Sequence, residues 1–196
     1  MKPLLIALFV FLINPARANS IKIVAIVDGE IITSYDLEQR VAITKMLNKI
    51  TKIDNNSIRY LYNAVLQQMI GEKIKSKYSK NLGISISKQD LEANINLVKQ
   101  NNPQYNKAFG YFKNTDTIYY LRKQIEDDIT WNQIVHHYFM PRVAASDQEI
   151  QNLMVYNKSL NKTSARNMLL HKKLEQIESD VLSKVRNVTF IEINQI

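Results

Sequence analysis

The stretch Ile21–Val41 constrains the fold more than any other part of the sequence. Two short apolar runs flank the dipeptide Asp28-Gly29, which is typical of a β-hairpin because a type I′ turn requires positive φ at both central residues. Thr33 then predicts a helix N-cap, and Asp36, three residues later, can complete a capping box. An isolated hairpin is only marginally stable in water, so this one requires a third strand or a packed helix.

The last apolar segment, Val188–Ile193, can supply that third strand because it is rich in β-branched and aromatic residues. We expect it to pair with the hairpin of residues 21–32, which would bring the two ends of the chain together. The helices predicted from apolar spacing span roughly residues 36–50, 57–82, 87–100, 104–113, 114–139, 146–156 and 164–186. The predicted fold class is mainly α, with several helices and a small antiparallel sheet formed by the N-terminal hairpin and the C-terminal strand.

Local signals predict several helix ends. Gly83 follows the second helix and is placed to adopt the left-handed conformation of a C′ residue. Ser87 is expected to cap the third helix, and Ser146 with Glu149 predicts a capping pair at the start of the sixth. Pro141 is expected to end the long helix before it.

Residues Met1–Ala18 resemble an export signal. Lys2 precedes the ten-residue apolar run Leu4–Ile13, and Ala16-Arg17-Ala18 fits the small-x-small cleavage pattern. The run is shorter than the roughly 20 apolar residues that cross a bilayer. We therefore predict a signal peptide cleaved after Ala18 and an exported protein, with an uncleaved N-terminal anchor as the alternative.

The remaining residues, 19–196, are predicted to form a single domain. Residues 19–156 make up its N-terminal part, and the polar segment 157–163 is predicted to be a hinge. Residues 164–196 would then supply a C-terminal helix and strand that complete the domain.

The chain is basic, with 26 Lys and Arg against 18 Asp and Glu. Export argues against nucleic acid as a partner, so an anionic membrane surface or acidic segments of a client protein are the candidate partners. A solvated surface with spare lysines is the simpler alternative. The absence of cysteine excludes disulfides and thiolate metal sites.

The sequence contains no recognisable catalytic or metal-binding pattern. His136 and His137 are adjacent on a predicted helix and point about 100° apart, so they are poorly placed to share a metal. The acidic run of residues 126–128 is sequential, and such residues do not face one another on a helix. Glycine-rich phosphate loops and nucleophile elbows are absent. We predict no enzyme activity, no metal and no cofactor.

Aromatic residues cluster in the second half of the N-terminal part, and they are the candidate client-binding residues. Their functional interpretation is a groove that holds apolar segments of an extended polypeptide, whereas the alternative is packing within a helical core. The candidates are Tyr105, Phe109, Tyr111, Phe112, Tyr119 and Tyr120.

The order of motifs resembles the N-terminal domain of the SurA-type periplasmic chaperones over about residues 21–150. The motifs that carry the resemblance are IVAIVDGEIITSYDLEQRV, LQQMIGEKIKSKYSKNLGISISKQDLEANI, YYLRKQIEDDITWNQIV and RVAASDQEI. In that family one or two parvulin-type prolyl isomerase domains follow, but here only residues 151–163 precede SARNMLLHKKLEQIESDVLSKVRNVTFIEI, which is similar to the family's C-terminal helix and strand.

The resemblance implies a chaperone core without isomerase domains and without catalytic residues. The function it implies is ATP-independent holding of unfolded outer-membrane β-barrel precursors in the periplasm, and it leaves the oligomeric state open. Two other interpretations stay open. One is an envelope adaptor or scaffold that uses the fold to bind a single folded partner, and the other is a degenerate isomerase, against which the short gap argues.

Overall fold

A computed structural model describes residues 20–194 of the 196-residue chain. The strands are β1 (Ile23–Val27), β2 (Glu30–Thr33) and β3 (Ile191–Ile193). The α-helices are α1 (Ser34–Leu47), α2 (Asn55–Asn81), α3 (Lys88–Asn101), α4 (Pro103–Phe112), α5 (Thr117–Ile134), α6 (Asp147–Tyr156) and α7 (Lys162–Asn187). This architecture confirms the predicted fold class. The predicted signal peptide, residues 1–18, lies outside the described residues.

The three strands form one antiparallel sheet in the order β2-β1-β3. Asp28 and Gly29 have φ values of 52° and 84°, as the predicted hairpin turn requires. The predicted third strand is confirmed, but it is shorter than residues 188–193. The reason is that α7 continues to Asn187, and the Thr189 hydroxyl still donates to the Val185 carbonyl at 2.6 Å.

The predicted caps are formed. Thr33 and Asp36 make a complete capping box at α1, as Ser146 and Glu149 do at α6. The Ser87 side chain accepts from the Asp90 N–H at the start of α3, and Gly83 has a φ of 68°. These ends were predictable because each depends on residues within four positions of one another.

The start of α2 and the end of α5 differ from the prediction. Helix α2 begins at Asn55, because Asp54 caps it through the Asn56 and Ser57 N–H groups. Helix α5 does not continue to Phe139. It changes into a π-helical turn over Val135–Phe139, which buries both end residues while His136 and His137 stay exposed.

Three groups of buried side chains form the core. The first joins the inner face of the sheet to α1 and α2, the second lies between α1, α4 and α5, and the third surrounds the end of α5. Helix α7 contributes to two of them, because Leu182 and Val185 pack on the first group and Leu174, Ile177 and Val181 pack on the third. The C-terminal helix is therefore part of the packed core.

Helix α6 and the first half of α7 pack against each other as a helical hairpin, with Ile150 and Ala165 fully buried between them. The connection between these helices is shorter than the predicted hinge of residues 157–163. Asn161 caps α7 by accepting from the Ser164 N–H, so the helix already begins at Lys162.

Candidate functional site

The six aromatic residues that the sequence marks as candidate client contacts fall into different environments. Phe112 is only 5% exposed and belongs to the core between α1, α4 and α5. Tyr105, Phe109 and Tyr120 are half-buried against the same core group. Tyr111 and Tyr119 are exposed, by 72% and 65% respectively. The six side chains therefore do not form one continuous surface.

Tyr119 and Tyr120, at the start of α5, lie beside β2. The Tyr120 hydroxyl donates to Asp36 Oδ1 at 2.7 Å, and burial together with this bond raises the pKa of Tyr120. The Tyr119 ring stands edge-on to the Tyr120 ring, with centroids 5.3 Å apart, and the Tyr35 ring also packs edge-on against Tyr120, with centroids 6.3 Å apart. The anchored Tyr120 thus supports the exposed Tyr119.

A cavity of about 310 Å³ lies between β2, α1, α2 and α5, and we call it the edge groove. Its apolar lining comes from Ile31 and Ile32 of β2, Met69 of α2, and the two tyrosines Tyr119 and Tyr120 of α5. Ile31 is 49% exposed, whereas Ile32 on the opposite face of the strand is buried. The edge groove therefore combines apolar walls with a strand at the border of the sheet.

Lysines on α2 and α5 neutralise carboxylates along the rim of the edge groove. Lys73 and Lys80 each bind Glu30 at 2.7 Å, and these bonds lower the pKa of Glu30 to about 2. Lys123 binds Asp127 at 2.9 Å. The lysines that line the rim are thus already paired.

At its base the edge groove contains a buried ion pair. Arg40 Nη2 donates to Glu72 Oε1 at 2.5 Å, and Arg40 is only 4% exposed. Burial raises the pKa of Glu72 although Arg40 opposes it, and Arg40 Nε has no hydrogen-bond partner. The last charged lining residue, Asp36, accepts from the Thr33 N–H, so every charged side chain of the edge groove has at least one partner.

The remaining aromatic candidates lie away from the edge groove. Tyr105 lines a separate depression of about 450 Å³ between α3, α4 and α5, beside the exposed Leu97. Lys99 Nζ lies 5.6 Å from the centre of the Phe109 ring. The structure thus brings Tyr119 and Tyr120 together at the sheet edge and places the other four elsewhere.

Sequence reasoning missed the contribution of β2 to this site. Ile31 and Ile32 are consecutive apolar residues, so the strand presents apolar side chains on both faces. That pattern was the available signal for an apolar surface outside the core. No sequence pattern in or near β2 indicated that α5 would pack beside this strand.

The described residues offer no metal-binding cluster and no membrane-spanning helix. Within residues 20–194, no three His, Asp or Glu side chains are close enough to hold an ion. In the same range, no helix combines the length and apolar character needed to cross a bilayer.

The fold is that of SurA-like chaperones. A structure from work on PEB4 and the periplasmic protein Cj1289, two SurA-like chaperones of Campylobacter jejuni, matches 89% of this chain and 100% of its own with a TM-score of 0.57. Sequence identity to it is 16%. The SurA N-terminal domain family matches residues 21–135, and the chain belongs to that family. This result confirms the resemblance seen in the sequence.

Curated relatives agree with this assignment. Chaperone SurA of Methylobacillus flagellatus is 26% identical over 165 residues, which cover 80% of this chain and 37% of the relative. Chaperone SurA of Chromobacterium violaceum is 28% identical over 144 residues, covering 72% and 34% respectively. The chain thus spans little more than a third of the length of the curated relatives it matches.

Proposed function

We propose that this protein is an ATP-independent holding chaperone of the periplasm that binds unfolded outer-membrane proteins and has no prolyl isomerase activity. The observation that carries the proposal is the edge groove, where apolar side chains line a cavity beside an exposed sheet edge. Precursors of membrane β-barrels alternate apolar and polar residues and cannot bury their lipid-facing side in water. A groove that covers short segments of them would suppress aggregation.

The edge groove suits weak and reversible binding. Its volume of about 310 Å³ accommodates a few side chains at a time, so each contact buries little apolar area. Tyr119 offers a large amphipathic surface with few rotatable bonds, which limits the entropy lost on binding. Release of a client would then require no nucleotide, because no single contact is strong. Of the six aromatic candidates, we propose Tyr119 and Tyr120 as the client contacts.

The length of the connection between α6 and α7 supports a chaperone without isomerase activity. Only residues 157–161 join these helices, whereas an inserted domain takes at least about 50 residues. The predicted signal peptide, residues 1–18, supports a periplasmic location, with residues 19–196 as one exported domain.

Suppression of aggregation tests the holding function. A urea-denatured outer-membrane β-barrel protein is diluted into buffer without nucleotide, and light scattering is followed with increasing amounts of the mature chain. We expect suppression by the wild type at a several-fold excess. Tyr119→Ala should require about threefold more protein for the same effect, since it removes an aromatic contact.

Tyr111→Ala is the matched control, because Tyr111 is exposed to a similar degree as Tyr119 but lies outside the edge groove. Equal effects of the two substitutions would contradict the placement of the site, and no suppression by the wild type would contradict the holding function. Refolding of a protein limited by proline isomerisation should keep its rate in the presence of the chain, and acceleration would contradict the absence of isomerase activity.

A further inference from the structure

The free edge of β2 carries backbone groups that face the edge groove. In a two-residue hairpin the residues beside the turn, here Val27 and Glu30, form a hydrogen-bonded pair, and the next pair, Ile26 and Ile31, does not. The N–H and C=O of Ile31 therefore point away from β1. Because β2 lies at the border of the sheet, these groups point toward the edge groove that Ile31 lines.

The next backbone N–H of β2 that points away from β1 already has a hydrogen-bond partner. The Thr33 N–H donates to Asp36 Oδ2 at 2.8 Å as part of the capping box. Ile31 thus offers one donor and one acceptor to an incoming chain at the centre of this four-residue strand. An extended peptide residue opposite Ile31 would exchange both hydrogen bonds with it.

We propose that β2 binds an extended client segment of about four residues as a fourth strand of the sheet, through the N–H and C=O of Ile31. This inference rests on the proposed holding function and specifies how the client is held. The segment is electrically neutral and alternates apolar residues with small polar ones. It carries no proline at the residue opposite Ile31, because proline has no N–H to donate.

The charges of the edge groove favour a neutral segment. Glu30 is bound by two lysines, Lys123 binds Asp127, and Arg40 binds Glu72. A charged client residue would have to displace one of these pairs or enter the groove without a partner, which becomes costly when the bound client displaces water from the groove. A neutral residue avoids that cost.

The pleat of the added strand explains why the client segment should alternate apolar and polar residues. A residue paired with Ile31 would share its exposed face, while its neighbours would point to the face of Ile32, where Met69 and Tyr120 line the cavity. Every second residue of the client segment would therefore lie against the apolar lining of the edge groove. Short segments of a membrane β-strand have this pattern.

Two substitutions at Ile31 test the hydrogen bonds directly in the mature chain. Ile31→Pro removes the outward N–H and is tolerated at an edge position where that N–H faces solvent. Ile31→Val keeps the N–H and a β-branched side chain. The probe is a capped, fluorescently labelled eight-residue peptide of alternating valine and threonine. We expect Ile31→Pro to weaken its binding about tenfold, and Ile31→Val to change it less than about twofold.

Hydrogen exchange of the wild type provides a readout that does not depend on a variant folding. At saturating peptide, exchange of the Ile31 amide should slow about tenfold, since the N–H enters a ladder hydrogen bond. Unchanged exchange with bound peptide, failure of the peptide to bind, or full affinity of a folded Ile31→Pro variant would each overturn the proposal. Protection that rises with protein concentration without peptide would assign the edge to a second copy and would also overturn it.

The aggregation assay separates this proposal from the function on which it rests. If wild type and Ile31→Pro suppress aggregation equally, the holding function stands and the added strand is refuted. If the wild type does not suppress aggregation, the holding function fails, and the peptide and exchange measurements still decide whether β2 accepts a strand.

Discussion

Ala25 in β1 lies directly opposite Ile193 in β3, so the first and last strands of the chain share one ladder. Two further backbone bonds flank this pairing: the Asp28 N–H donates to the Phe190 carbonyl at 2.8 Å, and the Asn194 N–H donates to the Val24 carbonyl at 3.0 Å. The C-terminal segment therefore holds the N-terminal hairpin in the sheet.

Removal of residues 188–196 should destabilise the protein by about 2–4 kcal/mol, because β1 loses one of its two partner strands and Ile191 no longer packs on the core. Urea denaturation followed by circular dichroism measures this loss. Removal of residues 195 and 196 alone is the control with which the longer deletion is compared. An unchanged midpoint for the longer deletion would contradict the importance of the pairing.

Truncation of two neighbouring aromatic residues should change the stability by very different amounts. Phe112→Ala should cost about 3–5 kcal/mol of stability, since it opens a cavity in the core between α1, α4 and α5. Tyr111→Ala should change stability by less than about 0.5 kcal/mol, because the side chain is exposed. Thermal or urea unfolding of both variants checks the prediction, and similar losses would argue against the placement of α4.

The indole N–H of Trp131 on α5 donates to Glu178 on α7 at 2.9 Å. Glu178→Ala should cost about 1–2 kcal/mol, because it leaves a buried donor without a partner. Glu178→Gln keeps an acceptor at this position and should cost less. Trp131 is the only tryptophan in the chain, so its fluorescence reports on this contact during unfolding. Equal losses for the two variants would mean that the hydrogen bond contributes little.

The buried pair of Arg40 and Glu72 predicts non-additive substitutions. Glu72→Leu alone should destabilise the protein by about 3–5 kcal/mol, because the Arg40 charge stays buried without its partner. The double variant Arg40→Met with Glu72→Leu should recover most of that stability, since neither charge remains. A double-mutant cycle in urea measures the coupling, and additive losses would contradict it.

Glu30 should make the stability of the protein depend on pH in the acidic range. Its folded-state pKa of about 2 lies below the ordinary value of 4.5, because Lys73 and Lys80 bind the carboxylate. The stabilisation is thus fully present above pH 4.5 and is lost as the pH falls toward 2. The carboxylate is partly exposed, and after solvent screening we expect this contribution to be about 1 kcal/mol.

Comparison of the wild type with Glu30→Gln isolates this effect from other acidic groups. The difference in unfolding free energy between the two proteins should be constant above pH 5 and should shrink by about 1 kcal/mol between pH 4.5 and pH 2. Urea unfolding at several pH values measures it. A difference that does not change with pH would contradict the ion pairs of Glu30 with the two lysines.

Interactions within a few residues were well predicted. The turn at Asp28-Gly29, the capping boxes at Thr33 and Ser146, and the position of Gly83 follow from short-range hydrogen bonds and backbone sterics that their residue types specify. The third strand was also predictable, because an unsupported hairpin requires a partner and residues 188–193 were a β-rich segment able to supply it.

The candidate site was predicted only in part. The sequence marked Tyr119 and Tyr120 among six aromatic residues, but it did not separate them from Phe112, which is buried, or from Tyr111, which is exposed elsewhere. Aromatic residues are used in cores and at binding surfaces alike, so residue type does not decide between these roles.

The sequence by itself determined the order of the helices, the caps of α1, α3 and α6, the hairpin and the family, because these depend on local patterns of residues. Tertiary structure alone decided that α5 packs beside β2 and that the Ile31 backbone faces the resulting cavity. The position of α5 depends on the core groups around α1 and α2, which bring together helices that are distant in the sequence. No short segment of the sequence predicts that arrangement. The edge groove is therefore a property of the folded domain.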